Sequence, residues 1–201
     1  MNHELIIRWM GGLVAFSTLA ILFYGIWRGT QQKAGRAAGS ASQLLRSSLF
    51  YFLASALFLG ISYLGWIRIP WNISPQARLW MLTIGSFLFF PGMALLLWAR
   101  LTLGQNYFVS TAMGVQLFAE HQLVTKGPYA IIRHPMYVGL TLAAWGALLI
   151  YFTWTTVYFA VFAPLLAFRA LREEQALSAE FGEQWRDYRK RVPPFIPRFR
   201  R

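Results

Sequence analysis

The chain has 201 residues, 57% of them hydrophobic and 13% charged, with a mean hydropathy of +0.43; a soluble domain carries about twice that charged fraction. A formal net charge of +12 would point to nucleic acid in a soluble protein. Here the basic residues flank long apolar blocks, so anionic membrane headgroups are their natural partners, nucleic-acid binding is set aside, and the absence of cysteine excludes disulfides, thiolate metal sites and a cysteine nucleophile.

Five apolar segments follow one another: Leu5 to Trp27 (interrupted by Arg8), Ser48 to Ile67, Leu79 to Ala99, Pro135 to Phe152 and Thr155 to Phe168. A membrane-spanning helix needs ~20 apolar residues. The first three segments meet that length. The last two are shorter and are joined only by a few residues around Thr153 and Trp154, so they read as a tight antiparallel hairpin. Pro91 and Pro164 lie inside apolar segments, where membrane helices tolerate proline with a kink. Trp66, Trp71, Trp80, Trp98 and Trp154 fall near predicted helix ends, as an interfacial aromatic belt would. Lys33 to Ser42 is rich in Gly, Ala and Ser and reads as a flexible loop. The start has no basic stretch before Arg8 and does not read as a cleaved signal peptide. No internal repeat is present.

The expected fold is therefore all-α, an integral membrane bundle of five transmembrane helices in a single domain. Charge sets its orientation. Arg28, Lys33, Arg36 and Arg46 lie in one loop, three further basic residues lie between Arg100 and Arg133, and nine lie from Arg169 onward, sixteen in all. The other side holds Arg8, Arg68 and Arg78, and the hairpin tip holds none. That asymmetry puts the N-terminus outside and the C-terminus in the cytoplasm. Sixteen Arg against three Lys hints at a GC-rich genome, and so at a bacterial inner membrane.

Polar residues then collect on the cytoplasmic side. Gly127-Pro128 punctuates a turn before Tyr129, and Arg133-His134-Pro135 precedes the fourth segment. Proline is favoured in the first helical turn, so Pro135 starts the helix and His134 sits at its N-cap, with Tyr137 one turn in. The positive end of the helix dipole favours an anionic group there, and a capping or interfacial histidine is the plain alternative. Of seven acidic residues, five (Glu173, Glu174, Glu180, Glu183, Asp187) fall within fifteen positions. If the fifth helix continues, Arg169 and Glu173 share a face. A charged residue facing a cavity at the membrane boundary is a functional candidate, against the plain reading of a solvated helix with intrahelical ion pairs.

Taken in order, Leu103-Gly104-Gln105-Asn106, His121-x-Leu123-Val124, Gly127-Pro128-Tyr129, Arg133-His134-Pro135-Met136-Tyr137, Glu173-Glu174 and Phe181-Gly182-x-x-Trp185-x-x-Tyr188-x-x-Arg191-Val192-Pro193 resemble the isoprenylcysteine carboxyl methyltransferase family. They also resemble the wider group of small membrane methyltransferases that includes phospholipid N-methyltransferases. The resemblance covers about Leu101 to Pro197. It implies S-adenosyl-L-methionine as cofactor, held by residues 100–201, with residues 1–99 on the side of the acceptor pocket. By position, His121, Gln122, Leu123 and Val124 resemble the loop contacting the cofactor, and Tyr129 an adenosine-side aromatic. His134, Pro135, Met136 and Tyr137 resemble the central cofactor motif, Glu173 the cofactor carboxylate, and Arg169 the arginine that binds the methyl acceptor. Trp185 departs from the family's usual tyrosine, and Pro193-Pro194 departs in the tail.

Methyl transfer from a sulfonium needs positioning and water exclusion more than acid–base help. A carboxylate acceptor is already ionised, and Arg169 would clamp it as a fork. An amine acceptor must be kept unprotonated, for which His134 or Glu174 is the candidate. Arg169 and Glu174 are thus the candidate catalytic residues, and no metal site is expected. The function expected is methylation of a lipophilic or lipid acceptor, with carboxyl O-methylation favoured. The alternatives are a phospholipid N-methyltransferase, a nicotinamide-dependent sterol-type reductase, and a non-enzymatic lipid-binding scaffold. Small carboxylates, thiols and amines all stay open as acceptors, and the sequence is silent on oligomeric state.

Overall fold

A computed structural model describes residues 3–30, 48–104 and 122–198. The Lys33–Ser42 loop, Gln105, Asn106 and His121 lie outside the described residues. The elements are α1 (His3–Thr30), α2 (Ser48–Leu64), α3 (Pro75–Leu103), a 3-10 turn (Gly127–Ala130), α4 (Pro135–Tyr151), α5 (Trp154–Phe162), a second 3-10 turn (Pro164–Leu166) and α6 (Ala167–Arg191). The described residues hold no strand, only one isolated antiparallel bridge between Arg68 and Thr153. By length and composition, His3–Gly25, Pro75–Leu103 and the run Trp154–Arg191 can each cross a membrane, whereas Phe52–Leu64 and Pro135–Tyr151 are apolar but shorter. Large apolar side chains such as Trp9, Leu13, Phe16, Phe52, Leu57 and Phe87 stay exposed, a surface suited to lipid rather than water. The five belt tryptophans are also exposed.

The core is the seam between α3 and α4, where Phe89, Met93, Leu96, Ala143, Ile150 and Tyr151 are buried and Ile7, Val14 and Ala15 of α1 pack against them. Membrane helices gain no hydrophobic drive from lipid, so close approach depends on small residues. Gly85 and Gly92 on α3 face Gly146 and Gly139 on α4. A Cβ at Gly139 would lie 2.7 Å from both Gly92 O and Leu96 N, so the two backbones touch there with no room for a side chain.

The hairpin between α4 and α5 forms as the sequence predicts, and it is short because both helices end on their own chemistry. Phe152 takes a left-handed φ of 54° and its N–H donates to Leu148 O. Thr153 then caps α5, exchanging hydrogen bonds with Thr156 in a capping box. Arg78, from the start of α3, donates to the Leu149 and Ile150 carbonyls that α4 leaves unpaired at its end. Residues 65–69 lie back over this tip: Ile69 N donates to Phe152 O, Trp154 N to Ile67 O and Thr155 N to Gly65 O.

The fifth segment departs from the expected single helix over Thr155 to Phe168. It breaks at Pro164, which has no N–H to donate and clashes with the preceding turn. α5 stops at Phe162, one 3-10 turn follows, and a new helix runs on to Arg191. Pro91, by contrast, sits within an uninterrupted α3. α6 carries its own break at Gly182, whose φ of 47° is non-helical.

Candidate active site

The site assembles where the start of α4 meets α6 and the chain that follows it. Gly127, at a φ of 60°, seats the first 3-10 turn against Thr102 of α3; an added Cβ would lie 3.0 Å from Thr102 Oγ1. Pro128 and Tyr129 are buried in that turn, and Tyr188 of α6 donates its hydroxyl to Tyr129 O at 2.6 Å. The segment after α6 closes the other side. Arg133 N–H donates to Pro193 O at 2.9 Å and His134 N–H to Pro194 O at 3.0 Å. Pro193 and Pro194 thus supply the carbonyls that hold the His134 segment.

Pro135 opens α4 and His134 is its N-cap residue, as the sequence predicts, but the imidazole makes no capping hydrogen bond. It turns instead to α6, where Nε2 lies 2.9 Å from Glu174 Oε1. The same oxygen receives Arg133 Nη2 at 3.1 Å, and Arg189 Nε lies 3.9 Å from the other. The Arg133, His134 and Glu174 side chains are only 7%, 4% and 12% exposed, so this is a nearly enclosed ion cluster. Burial pushes the Glu174 carboxyl up, but the His134 hydrogen bond and the Arg133 charge outweigh it and hold it below the usual carboxylate range. An ionised carboxylate only accepts, so Nε2 of His134 carries the hydrogen of this bond.

The neighbouring carboxylate is held differently. Tyr137, one turn into α4, donates its hydroxyl to Glu173 Oε2 at 3.1 Å. The His134 ring stacks on Tyr137 with centroids 5.7 Å apart and packs against Phe195 at 5.4 Å. Behind this layer the Arg133 guanidinium lies 5.7 Å over the Trp185 ring. Arg133 Nε and Nη1 and Trp185 Nε1 are buried with no hydrogen-bond partner among the described residues. Trp185, Tyr188 and Val192 form a small core with Leu123, Leu177 and Phe181.

Of the residues picked out from the sequence, the fold thus brings His134, Tyr137, Glu173 and Glu174 together. Arg169 stands one helical turn before Glu173 and is half-buried. Pro135 is buried at the helix start. Met136 packs toward the α3–α4 core, away from this layer. Leu123 packs on the Trp185 cluster, Val124 is half-buried and Gln122 is exposed. Pro193 and Pro194 stood out in the sequence only as a feature of the tail, not as carbonyls that hold His134; residues the sequence did not single out are Arg189 and Phe195. Their only prior signal was the end of the recurrent aromatic and basic spacing around Trp185, Tyr188 and Arg191. Among the described residues no group of His, Asp and Glu could hold a metal ion.

The chain is similar in sequence to several methyltransferases. A fission yeast protein-S-isoprenylcysteine O-methyltransferase is 41% identical over 80 residues, covering 39% of this chain and 34% of that protein. An Arabidopsis thaliana protein-S-isoprenylcysteine O-methyltransferase B is 29% identical over 182 residues, covering 89% of this chain and 90% of that protein. A methanethiol S-methyltransferase of Pseudomonas deceptionensis is 27% identical over 165 residues, covering 75% of this chain and 59% of that protein. This chain therefore covers only about a third of the fission yeast protein but nearly all of the Arabidopsis one. The phospholipid methyltransferase family model matches residues 80–184, which run from α3 through the Glu173-Glu174 pair. By that match the chain belongs to the phospholipid methyltransferase family, a family of methyl-transferring enzymes.

Proposed function

We propose that this protein uses S-adenosyl-L-methionine to methylate a lipophilic acceptor, at a site between the start of α4 and α6. The observation that carries this is the pair of adjacent carboxylates on α6, each tied to a different residue of the His134–Tyr137 turn. When bound, the cofactor supplies a methyl group activated by a sulfonium.

The residues present fit such a molecule. Its carboxylate suits the unpartnered N–H groups of Arg133 and the positive end of α4. Its cationic centre suits the half-buried Glu173 carboxylate and the aromatic layer in which His134 stacks on Tyr137 and packs against a tilted Phe195. Tyr129, Gln122, Leu123, Val124 and His121 are assigned to the same side by the family resemblance. Glu174, saturated by Arg133 and His134, acts by positioning those two groups rather than as a base. Phe195 and the chain after α6 help exclude water from the site.

Read as five spans with the His3 end outside and α6 in the cytoplasm, as the distribution of basic residues supports, the protein carries this site at the cytoplasmic face. A soluble cofactor then enters from the water and a lipid acceptor sideways between helices. The three helices α1–α3 form the acceptor side, and Arg169 receives a carboxylate acceptor. Relatives named for an isoprenylcysteine and for methanethiol leave both O- and S-methylation open here. The excess of Arg over Lys supports a bacterial inner membrane.

Calorimetry tests the assignment. Glu173→Ala and His134→Ala are expected to weaken S-adenosyl-L-methionine binding at least tenfold, the loss of one charge-assisted contact. Unchanged affinity in both variants, with the fold intact, would remove the site from consideration.

A further inference from the structure

The end of the bundle opposite the methyl-transfer site gathers charges that site does not use. Glu4 is the only acidic residue before Glu120. Three arginines converge on its Oε1: Arg78 Nη2 at 2.8 Å, Arg8 Nη1 at 3.2 Å and Arg68 Nη2 at 3.4 Å. They are the same three basic residues that the charge count leaves on the basic-poor side. His134 precedes the first residue of α4 and Arg78 of α3 holds the carbonyls near the end of α4, so the 17-residue helix separates the two clusters by ~25 Å.

Two of the three arginines have structural duties. Arg78 forks onto the Leu149 and Ile150 carbonyls at 2.8 and 2.6 Å. Arg8 pairs with Glu4 one turn earlier on α1 and lies 5.8 Å over the Tyr151 ring. Arg68 has no such duty. Its side chain is 66% exposed, and its contact with Glu4 is the longest of the three. It lines a cavity of about 260 Å³ with Glu4, Arg78, Trp71, Ile73 and Phe152. Its lining holds one carboxylate against two guanidinium groups, Arg68 and Arg78, and Arg8 pairs with the same carboxylate from outside the lining, which leaves a surplus of positive charge there. A structural clamp on α1 requires Arg78 and Arg8 but not that surplus.

We propose that this cavity binds a phosphate-type anion, with Arg68 as its principal ligand. Guanidinium donors match phosphate oxygens in pairs, and Arg68 brings several donors on an exposed, movable arm. The remaining wall is apolar, and Trp71 is 74% exposed beside Phe152, with ring centroids 6.2 Å apart. A polar floor with an aromatic rim suits an anionic lipid headgroup, its phosphate on Arg68 and its glycerol against Trp71. Free phosphate shares the anionic chemistry but makes no use of that rim.

Native mass spectrometry of the purified full chain tests this, with short-chain phosphatidylglycerol, phosphatidylcholine and inorganic phosphate as separate probes. The expected result is one tightly retained phosphatidylglycerol, at least tenfold weaker binding of phosphatidylcholine, and loss of the tight site in Arg68→Gln. The exposed position of Arg68 keeps that variant folded. Arg186→Gln removes an equal charge elsewhere, at a side chain 61% exposed, and is expected to retain the site. Inorganic phosphate bound as tightly as the lipid, and lost in Arg68→Gln, would support the anion site with a soluble ligand. No preference for anionic probes, or an equal loss in Arg68→Gln and Arg186→Gln, would overturn the proposal.

Discussion

Removing the Glu174 carboxylate is the sharpest perturbation of the site. Its Oε1 receives both Arg133 and His134, and the Arg133 and Glu174 side chains are 7% and 12% exposed. Glu174→Ala leaves a nearly buried guanidinium without its counter-ion, and deleting one partner of a buried pair costs roughly 3–5 kcal/mol. The residual exposure of the pair and the Trp185 ring under Arg133 put the expected value at the low end, ~3 kcal/mol. At ~2–4 °C per kcal/mol for a chain of this size, the melting temperature should fall by ~6–12 °C. Glu173→Ala removes one hydrogen bond from Tyr137, ~1 kcal/mol, and should cost only ~2–4 °C. Thermal melts of both variants in one detergent make the comparison. A loss of under ~2 °C for Glu174→Ala, or equal losses for the two, would refute the view that Glu174 anchors and Glu173 faces a ligand.

Other expectations follow from the same structure. Gly139→Ala drives a methyl into the α3 backbone and should destabilise by ~1–3 kcal/mol, whereas Gly60→Ala, with open space around it, should be near neutral; equal melting temperatures would argue against the tight seam. Because the Glu174 carboxyl titrates lower in the folded protein than in the unfolded one, its contribution is complete above the unfolded value and lost as pH falls through the folded one. The stability gap between wild type and Glu174→Gln should therefore hold from about pH 7 to about pH 5 and shrink below about pH 4; a gap that closes on the alkaline side would contradict the sign. Arg169→Ala should reduce turnover of acceptor at least tenfold while changing cofactor affinity less than threefold, roughly the difference between losing a clamp and losing a neighbour; parallel losses in both would count against an acceptor role.

The parts of the fold legible in the sequence are those that lipid imposes. Backbone polar groups cannot stay unpaired in hydrocarbon, so apolar runs become helices, and the hairpin tip at Thr153 followed from two runs with almost nothing between them. His134 at the start of α4 was legible because Pro135 fixes a helix start. The break after Phe162 was less so, since proline within a span bends one helix and divides another according to the packing around it. The α3–α4 seam had a signal in the seven-residue spacing of Gly85 and Gly92 and of Gly139 and Gly146, read only once the helices were seen face to face. The Arg133–His134–Glu174 cluster joins segments forty residues apart in sequence. Helical spacing placed Glu173 and Glu174 on one helix, but it could not say that each carboxylate goes to a different residue of the opposing turn. The Glu4 cluster was equally hidden: charge counting located its arginines on one side and gave no reason for them to meet.

The central claim is that the His134–Tyr137 turn and the Glu173–Glu174 pair hold a sulfonium methyl donor. The direct measurement is a calorimetric titration of the purified protein with S-adenosyl-L-methionine and, separately, with NADPH. Saturable binding of the first alone, lost in Glu173→Ala without loss of fold, is the predicted result. Binding of NADPH in its place, or of neither, would contradict it.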